Sequence, residues 1–245
     1  MADAAKSWWA RAILVGAVIA AVLLPLGALG TKFGIWGFQA GFLALGAGTV
    51  LALLGVVVGL VGLIVSRKRG YSEDMSSLFI GIGISVLIIA LMGMQFYTAS
   101  SVPPIHNIST DIADPPEFDV VASLRGEGTN PLEYSADQLG PLQREAYPWV
   151  KPLEVSLSRA QALAKAEQAL QSLGLEIVAV DPVAGIVEAT ATTFWFGFKD
   201  DVVVRVRPEG GGSVVDIRSV SRVGQSDLGK NAARISEILA GLKAI

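Results

Sequence analysis

Three long segments without a charged side chain lie in the first hundred residues, and they limit what this chain can fold into. They run about Ala12–Gly30, Gln39–Val65 and Ser77–Thr98. A helix needs about 20 apolar residues to cross the roughly 30 Å hydrocarbon core of a bilayer. The sequence therefore predicts an integral membrane protein with three spanning helices in residues 1–98. A cleaved signal peptide is the alternative for the first segment, but two further spans follow it directly.

The remainder of the chain has the composition of a water-soluble domain. Charged residues make up 17% of the whole chain, below the roughly 25% usual in soluble domains, and the deficit lies before residue 105. Up to residue 104 there are six Lys and Arg against three Asp and Glu, and afterwards 13 against 19. An acidic soluble part argues against nucleic-acid binding, which requires a basic surface. The absence of cysteine excludes disulfides and thiol chemistry.

The distribution of Lys and Arg around the spans predicts their orientation. Lys6 and Arg11 precede the first span, and Arg67–Arg69 lie between the second and third spans. Only Lys32 lies between the first and second spans. We therefore expect a cytoplasmic N-terminus and a C-terminal domain on the other side, which is the periplasm if the chain lies in a bacterial inner membrane.

The second span is rich in glycine, and Gly55 and Gly59 are spaced so that another helix could approach closely. The pair is typical of packing among the three spans. The alternative is an interface with a second copy or with a membrane-protein partner. No ionisable residue lies inside a span, which disfavours a transporter or channel.

Residues 99–155 contain eight of the eleven prolines. Because proline fixes φ and removes a hydrogen-bond donor, we expect an extended strap that wraps the following domain and has no regular structure. The domain itself is predicted to occupy residues 156–245.

The domain pattern is helix, four strands, helix. A capping box at Ser158 and Gln161 opens a helix predicted to end before Gly174, and Ser226 is the predicted N-cap of the last helix. Short turn sequences join the strands. The sequence thus predicts an α+β domain with a four-stranded antiparallel sheet and two helices on one face. The predicted ranges are helices Ser158–Leu173 and Asp227–Leu242, and strands Leu175–Val180, Gly185–Thr193, Asp201–Arg207 and Ser213–Val223.

Alternation along the strands assigns their faces. The face opposite the helices should carry Glu188, Arg205, Arg207, Asp216, Arg218 and Arg222. It is either a solvated face with cross-strand ion pairs or a recognition surface for an acidic or phosphate-bearing partner. The aromatic run Phe194, Trp195, Phe196 and Phe198 is either core cover or a contact with a membrane surface or an apolar ligand.

Two motifs resemble those of a family known as domain of unknown function 1499. One is Asp216–Ile235, which reads DIRSVSRVGQSDLGKNAARI, and the other is Asn107–Asp111 (NISTD) followed by Pro115–Phe118 (PPEF). They bracket about residues 105–240, so the resemblance covers the soluble part and none of the spans. Members similar to it occur in bacteria and plastids, often behind a membrane or export segment, and the resemblance implies no activity.

The second motif supplies the candidate binding residues, which are Asp216, Arg218, Ser221, Arg222, Gly224, Ser226, Asp227, Gly229, Asn231 and Arg234. Free amides at the start of the last helix can bind an anion, but Asp227 can satisfy the same amides. The structural alternative is that Asp227 or Ser226 caps the helix while Arg218, Arg222 and Arg234 join strand to helix, or join Asp111 and Asp114 of the strap.

No catalytic pattern emerges from the residues. The single histidine, His106, follows the third span among prolines, a poor place to hold a base. One histidine and no cysteine give no zinc spacing, and no glycine-rich nucleotide loop is present, so we expect neither metal nor cofactor.

We carry three hypotheses for function. The first is a membrane-anchored interaction module, a scaffold or assembly factor that contacts the bilayer and a membrane-protein partner or a second copy through Gly55 and Gly59. The alternative is a domain that binds a lipid or apolar ligand near Phe194–Phe198, for which an enclosed cavity is required. The third is a hydrolase based on carboxylates.

Overall fold

The computed structural model describes residues 7–243, and its contacts divide the chain into two compact units. The first contains the described residues up to Thr98 together with Phe194–Gly197, and the second contains Ala99–Thr193 and the residues from Phe198 onward. The helices of the first unit are α1 (Trp8–Lys32), α2 (Phe38–Arg69) and α3 (Asp74–Ser101), of which the last three residues belong to the second unit.

All three helices are long and apolar enough to cross a membrane, as predicted. At one end of the bundle, the carboxylate of Asp74 joins three helix ends. It accepts hydrogen bonds from the Ser7 backbone N–H (3.0 Å) and hydroxyl (2.5 Å) and from the Ser66 hydroxyl (3.1 Å). Lys6, one of the residues used to predict orientation, lies outside the described residues.

The glycines of α2 allow α3 to approach. A Cβ on Gly55 would lie 2.6 Å from the Ser85 hydroxyl, and one on Gly59 would lie 2.6 Å from Cγ1 of Ile82. These two glycines therefore contact another helix of the same chain, as the packing interpretation expects.

The second unit contains β1 (Asn107–Ser109), α4 (Val120–Leu124), α5 (Ala136–Ala146), β2 (Leu153–Val155), α6 (Arg159–Ser172), β3 (Glu176–Asp181), β4 (Ile186–Thr192), β5 (Lys199–Glu209), β6 (Gly212–Ser221) and α7 (Lys230–Lys243). Its strands form one antiparallel sheet in the order β1-β6-β5-β4-β3, with β2 also paired to β6.

The prediction of four strands is wrong, because the sheet has six. The two additional strands, β1 and β2, are three residues long and come from the segment predicted to be an irregular strap. That segment also contains α4 and α5, so the expectation of no regular structure is wrong there. A three-residue strand is too short to show alternation, and these two are defined by pairing with β6.

Helices α6 and α7 pack against one face of the sheet and form the core of the unit. Their buried residues include Leu163, Leu170, Ile235 and Ile238, and the facing sheet residues are Val187, Ala189, Val202, Val204, Val206, Val215 and Ile217. The predicted capping box of α6 is present, since the Ser158 hydroxyl accepts from the Gln161 backbone N–H and the Gln161 side chain accepts from the Ser158 backbone N–H. Gly174 ends the helix with φ at 76°.

The start of α7 differs from the prediction. Leu228 and Gly229 have φ of 56° and 77°, in the left-handed region, so the helix cannot begin at Asp227 and begins at Lys230. Ser226 is not the N-cap. Asp227 accepts from the backbone N–H groups of Gly229 and Asn231, each at 2.8 Å.

Candidate functional site

The candidate site is the sheet face opposite α6 and α7. Period-two alternation puts Glu188, Asp201, Arg205, Asp216, Arg218 and Arg222 on this face, as β4–β5 and β5–β6 pairing confirms. Residues 110–134, which we call the cover segment, contact these side chains. Glu188, Asp201, Asp216 and Arg218 are between 0% and 4% exposed, so this face is not the solvated surface that one interpretation expected.

Arg218 holds both ends of the cover segment. Its guanidinium donates to the Asn107 side chain (3.0 Å) and to the backbone oxygens of Pro116 (3.1 Å) and Leu132. It also lies 5.5 Å and 5.7 Å from the ring centroids of Phe118 and Tyr134. Burial lowers the pKa of Arg218 to about 10 and raises the pKa of Tyr134 to about 12. The described partners of the Arg218 guanidinium are thus neutral oxygens and aromatic faces, which stabilise the buried cation without neutralising it.

Glu188 fixes the short helix α4. Its carboxylate accepts from the backbone N–H groups of Asp119 and, at 2.7 Å, Val121. The Val121 side chain is fully buried. A buried carboxylate on β4 thus sets the position and rotation of a helix in the cover segment.

Asp201 is the centre of an ion-pair cluster. It accepts from Arg125 at 2.5 Å, from Arg222 at 2.8 Å and 2.9 Å, and from the Thr190 hydroxyl at 2.9 Å. Burial lowers the pKa of Arg125, although the charge of Asp201 acts in the other direction. Arg125 belongs to the cover segment, so this cluster is another attachment of that segment to the sheet.

Asp216 forms a third cluster with two arginines. One of its oxygens accepts from Arg205 and Arg207, and Arg205 also donates to Asp114 at 2.9 Å. Burial lowers the pKa of Arg207, but the neighbouring carboxylates, Asp216 first, outweigh this effect and leave that pKa raised. The other Asp216 oxygen, Oδ1, is buried without a hydrogen-bond partner.

The remaining motif residues gather on the opposite face of β6, at the start of α7. Asn231 donates to the Ser221 hydroxyl and to the His106 backbone oxygen, each at 3.0 Å. Arg234 donates to Asn231 (2.6 Å), to Ser219 (3.0 Å) and to Asp200 (2.7 Å). Burial raises the pKa of Asp227, which caps the helix, although its two backbone hydrogen bonds act against that rise.

The predicted site residues are therefore not one site. Asp216, Arg218 and Arg222 lie under the cover segment, whereas Ser221, Asp227, Gly229, Asn231 and Arg234 lie on the helix side. Gly224 has φ at 90° and its backbone oxygen accepts from Asn130 at 2.8 Å. The Ser226 hydroxyl accepts from the Leu228 backbone N–H at 3.3 Å.

The charged side chains on the sheet face opposite α6 and α7, together with the residues that bind them, are called the ionic face. Sequence reasoning missed three of its members, which are Arg125, Asn130 and Asp201. Asp201 lies four residues before Arg205 and thus shares its strand face. That spacing could have identified it. Nothing in the sequence around Arg125 or Asn130 indicates their long-range partners.

The described part of the chain offers few features of a catalytic centre. Within residues 7–243 no group of three or more His, Asp or Glu side chains is arranged to hold a metal ion. His106 lies 3.4 Å from the Gln225 backbone oxygen. Two open pockets of these residues are lined by Ser7, Trp8, Arg11, Ala12 and Val15 and by Glu154–Ser156 with Glu209–Val214. Neither lining includes a residue of the ionic face or of Phe194–Phe198.

Three membrane-capable helices followed by an antiparallel α+β domain define the class of this protein. The model of the family described as "Protein of unknown function (DUF1499)" matches residues 107–242, and the chain belongs to that family. No curated protein matches the sequence. One similar solved structure is titled "Crystal structure of Ara h 8.0201", with 10% identity over 39% of this chain and 96% of that chain, and a TM-score of 0.27.

Proposed function

We propose that this protein is a membrane-anchored interaction module whose C-terminal unit serves as a scaffold or assembly factor for another membrane protein. The observation that carries the proposal is that α4 is held in place and exposes two apolar side chains. Val120 is 40% exposed and Leu124 is 56% exposed. Because they are four residues apart in one helix, they lie on the same face.

The contacts that hold α4 against the sheet support this role. The amides at its start are bound by Glu188, Val121 is buried, and the backbone oxygen of Leu124 accepts from Arg222 at 3.4 Å. An apolar pair held in one position loses little conformational entropy when a partner covers it. A helix held at its start by the buried Glu188 carboxylate and at its end by Arg222 can therefore offer a defined docking surface.

The contacts made by the ionic face indicate that its charges have a structural role within the chain. Arg218, Arg222 and Arg125 all bind groups of the same chain. Charges used in this way fix the cover segment and are not free to recognise a phosphate or an acidic ligand. Recognition would then take place on the outer surface of the cover segment.

The location we propose is a bacterial inner membrane, with the N-terminus in the cytoplasm and the second unit in the periplasm. Its support is the placement of Arg67–Arg69 between α2 and α3, against Lys32 alone between α1 and α2. Because the chain contains no cysteine, one introduced cysteine is its single site for maleimide labelling. A Val183→Cys variant should react with a membrane-impermeant maleimide in intact spheroplasts, and labelling only after lysis would overturn the orientation.

Native mass spectrometry of the full-length protein, extracted in mild detergent from its own membrane, tests the function. We expect a stoichiometric protein partner that is lost in the Val120→Ser/Leu124→Ser variant and kept in a Val183→Ser control, since Val183 is 83% exposed on the β3–β4 turn. A partner that is equally retained by the double variant would contradict the role of α4. A retained small molecule without a protein partner would favour the ligand-binding alternative.

A further inference from the structure

The connection between β4 and β5 has a tip of four residues, Phe194–Gly197, that belongs to the first unit by its contacts. The Lys32 ammonium donates to the Phe194 backbone oxygen at 2.8 Å and lies 4.7 Å from the centroid of the Phe194 ring. The Phe196 ring lies 5.2 Å from the ring of Phe42. The tip is therefore held by both polar and aromatic contacts.

These contacts fall at the ends of two candidate spans. Lys32 is the last residue of α1, and Phe42 lies near the start of α2, which begins at Phe38. In the turn between the two helices, Phe33 is 70% exposed and Ile35 is 69% exposed. The tip is thus at the level where α1 and α2 leave the apolar part of a bilayer.

Two aromatic side chains of the tip remain uncovered in this position. Phe194 is 72% exposed and Trp195 is 55% exposed, and their rings pack edge to face with centroids 5.2 Å apart. Gly197 has φ at 69°, which lets the chain turn back directly after the aromatic residues. The two rings thus have a defined arrangement. In a soluble protein they would be exposed to water.

We propose that Phe194 and Trp195 insert into the headgroup layer of the bilayer, beside the α1–α2 turn. Tryptophan and other amphipathic aromatic rings favour this layer, and a lysine at a span end extends its ammonium toward the headgroups. Lys32 provides that cation next to the Phe194 ring. The occupant of this apolar surface is therefore lipid, and the tip is a membrane contact in addition to the three helices.

Site-directed spin labelling of the full-length, naturally cysteine-free chain tests this inference. Trp195→Cys and, separately, Phe194→Cys are labelled with a nitroxide in phosphatidylethanolamine–phosphatidylglycerol vesicles. Val58→Cys, on the exposed side of α2, calibrates the hydrocarbon, and Val183→Cys calibrates water. Collision rates with oxygen and with a water-soluble nickel chelate are measured at each position.

We expect the nickel collision rates at positions 194 and 195 to be several-fold lower than at position 183, with oxygen rates between those at positions 183 and 58. Because both side chains are largely exposed, the substitutions leave the fold intact. Collision rates at positions 194 and 195 equal to those at position 183 would overturn the inference. Rates that become lipid-like only when a copurified protein is present would also overturn it, since the occupant would then be that protein.

Discussion

Asp201 on β5 and Arg222, just beyond β6, form a two-point ion pair. The Arg222 Nε and Nη2 groups donate to the two carboxylate oxygens at 2.9 Å and 2.8 Å. The carboxylate is fully buried and the arginine side chain is 14% exposed. Charge-assisted bonds of this parallel geometry are among the stronger polar contacts in proteins. Arg125 of the cover segment binds the same carboxylate, so one aspartate joins two strands to that segment.

Replacing this carboxylate should loosen the cover segment. In Asp201→Ala, Arg125, Arg222 and Thr190 lose a common partner, and removing one member of a buried pair costs about 3–5 kcal/mol. We expect the amides of residues 110–134 to lose hydrogen-exchange protection in the full-length protein in detergent.

Asp114→Ala is the matched control, because its side chain is 71% exposed and its pair with Arg205 lies at the surface. Exposed pairs contribute about 0–1 kcal/mol, so protection should change little. Equal protection in Asp201→Ala and wild type would show that the cover segment is held without this carboxylate.

The buried phenol of Tyr134 makes the stability of the domain depend on pH in the alkaline range. Burial raises its pKa from 10.0 to about 12, so the folded protein keeps a proton that the unfolded chain releases. This contribution is fully present below about pH 10 and is lost as pH rises through about 12. Ultraviolet titration at 295 nm should show a tyrosine that ionises near pH 12, and Tyr134→Phe should remove that step.

Arg218 adds no ionisation of its own to this pH range. Burial lowers its pKa, but an arginine guanidinium stays charged in proteins, so the alkaline loss of stability is assigned to Tyr134. The unfolding midpoint of Tyr134→Phe should therefore fall less than that of wild type between pH 10 and 12. A parallel fall in both proteins would contradict the assignment to Tyr134.

Elements with a local signal were predictable from the sequence, and contacts over long separations were not. The three long apolar helices and the capping box at Ser158 depend on neighbouring residues, and both are present in the structure. Strand β1 pairs Asn107 with Val220, more than a hundred residues away, and three residues cannot show alternation. Arg218 was expected to bind a carboxylate or helix, but two of its three partners are backbone oxygens, which every residue carries.

The start of α7 allows a comparison of two adjacent polar side chains. Asp227 accepts from the amides of Gly229 and Asn231, whereas Ser226 accepts only from Leu228. Loss of a capping side chain costs about 0.5–2 kcal/mol, so Asp227→Ala should lower the free energy of unfolding by about 1 kcal/mol and Ser226→Ala by less. Denaturant unfolding followed by circular dichroism measures both. If Ser226→Ala had the larger effect, Ser226 would be the N-cap, as the sequence predicts.

The same aspartate should respond to acid. Burial raises the pKa of Asp227 above 3.8, so the folded state binds a proton at higher pH than the unfolded chain does. Its contribution to stability therefore increases as pH falls through the raised pKa. Asp227→Asn removes this ionisation, and the stability difference from wild type should shift in favour of wild type as the solution is acidified. A pH-independent difference would show that the carboxyl group is not perturbed.

The close approach of α2 and α3 makes position 55 intolerant of a side chain. A Cβ at Gly55 would lie 2.6 Å from the buried Ser85 hydroxyl, whereas a Cβ at Gly46 of the same helix meets nothing within 4 Å. Gly55→Leu should therefore separate the helices and lower the thermal unfolding midpoint in detergent, while Gly46→Leu should not. If Gly55→Leu instead left that midpoint unchanged and altered only the oligomeric mass, the glycine pair would serve an interface between chains and not the packing within one.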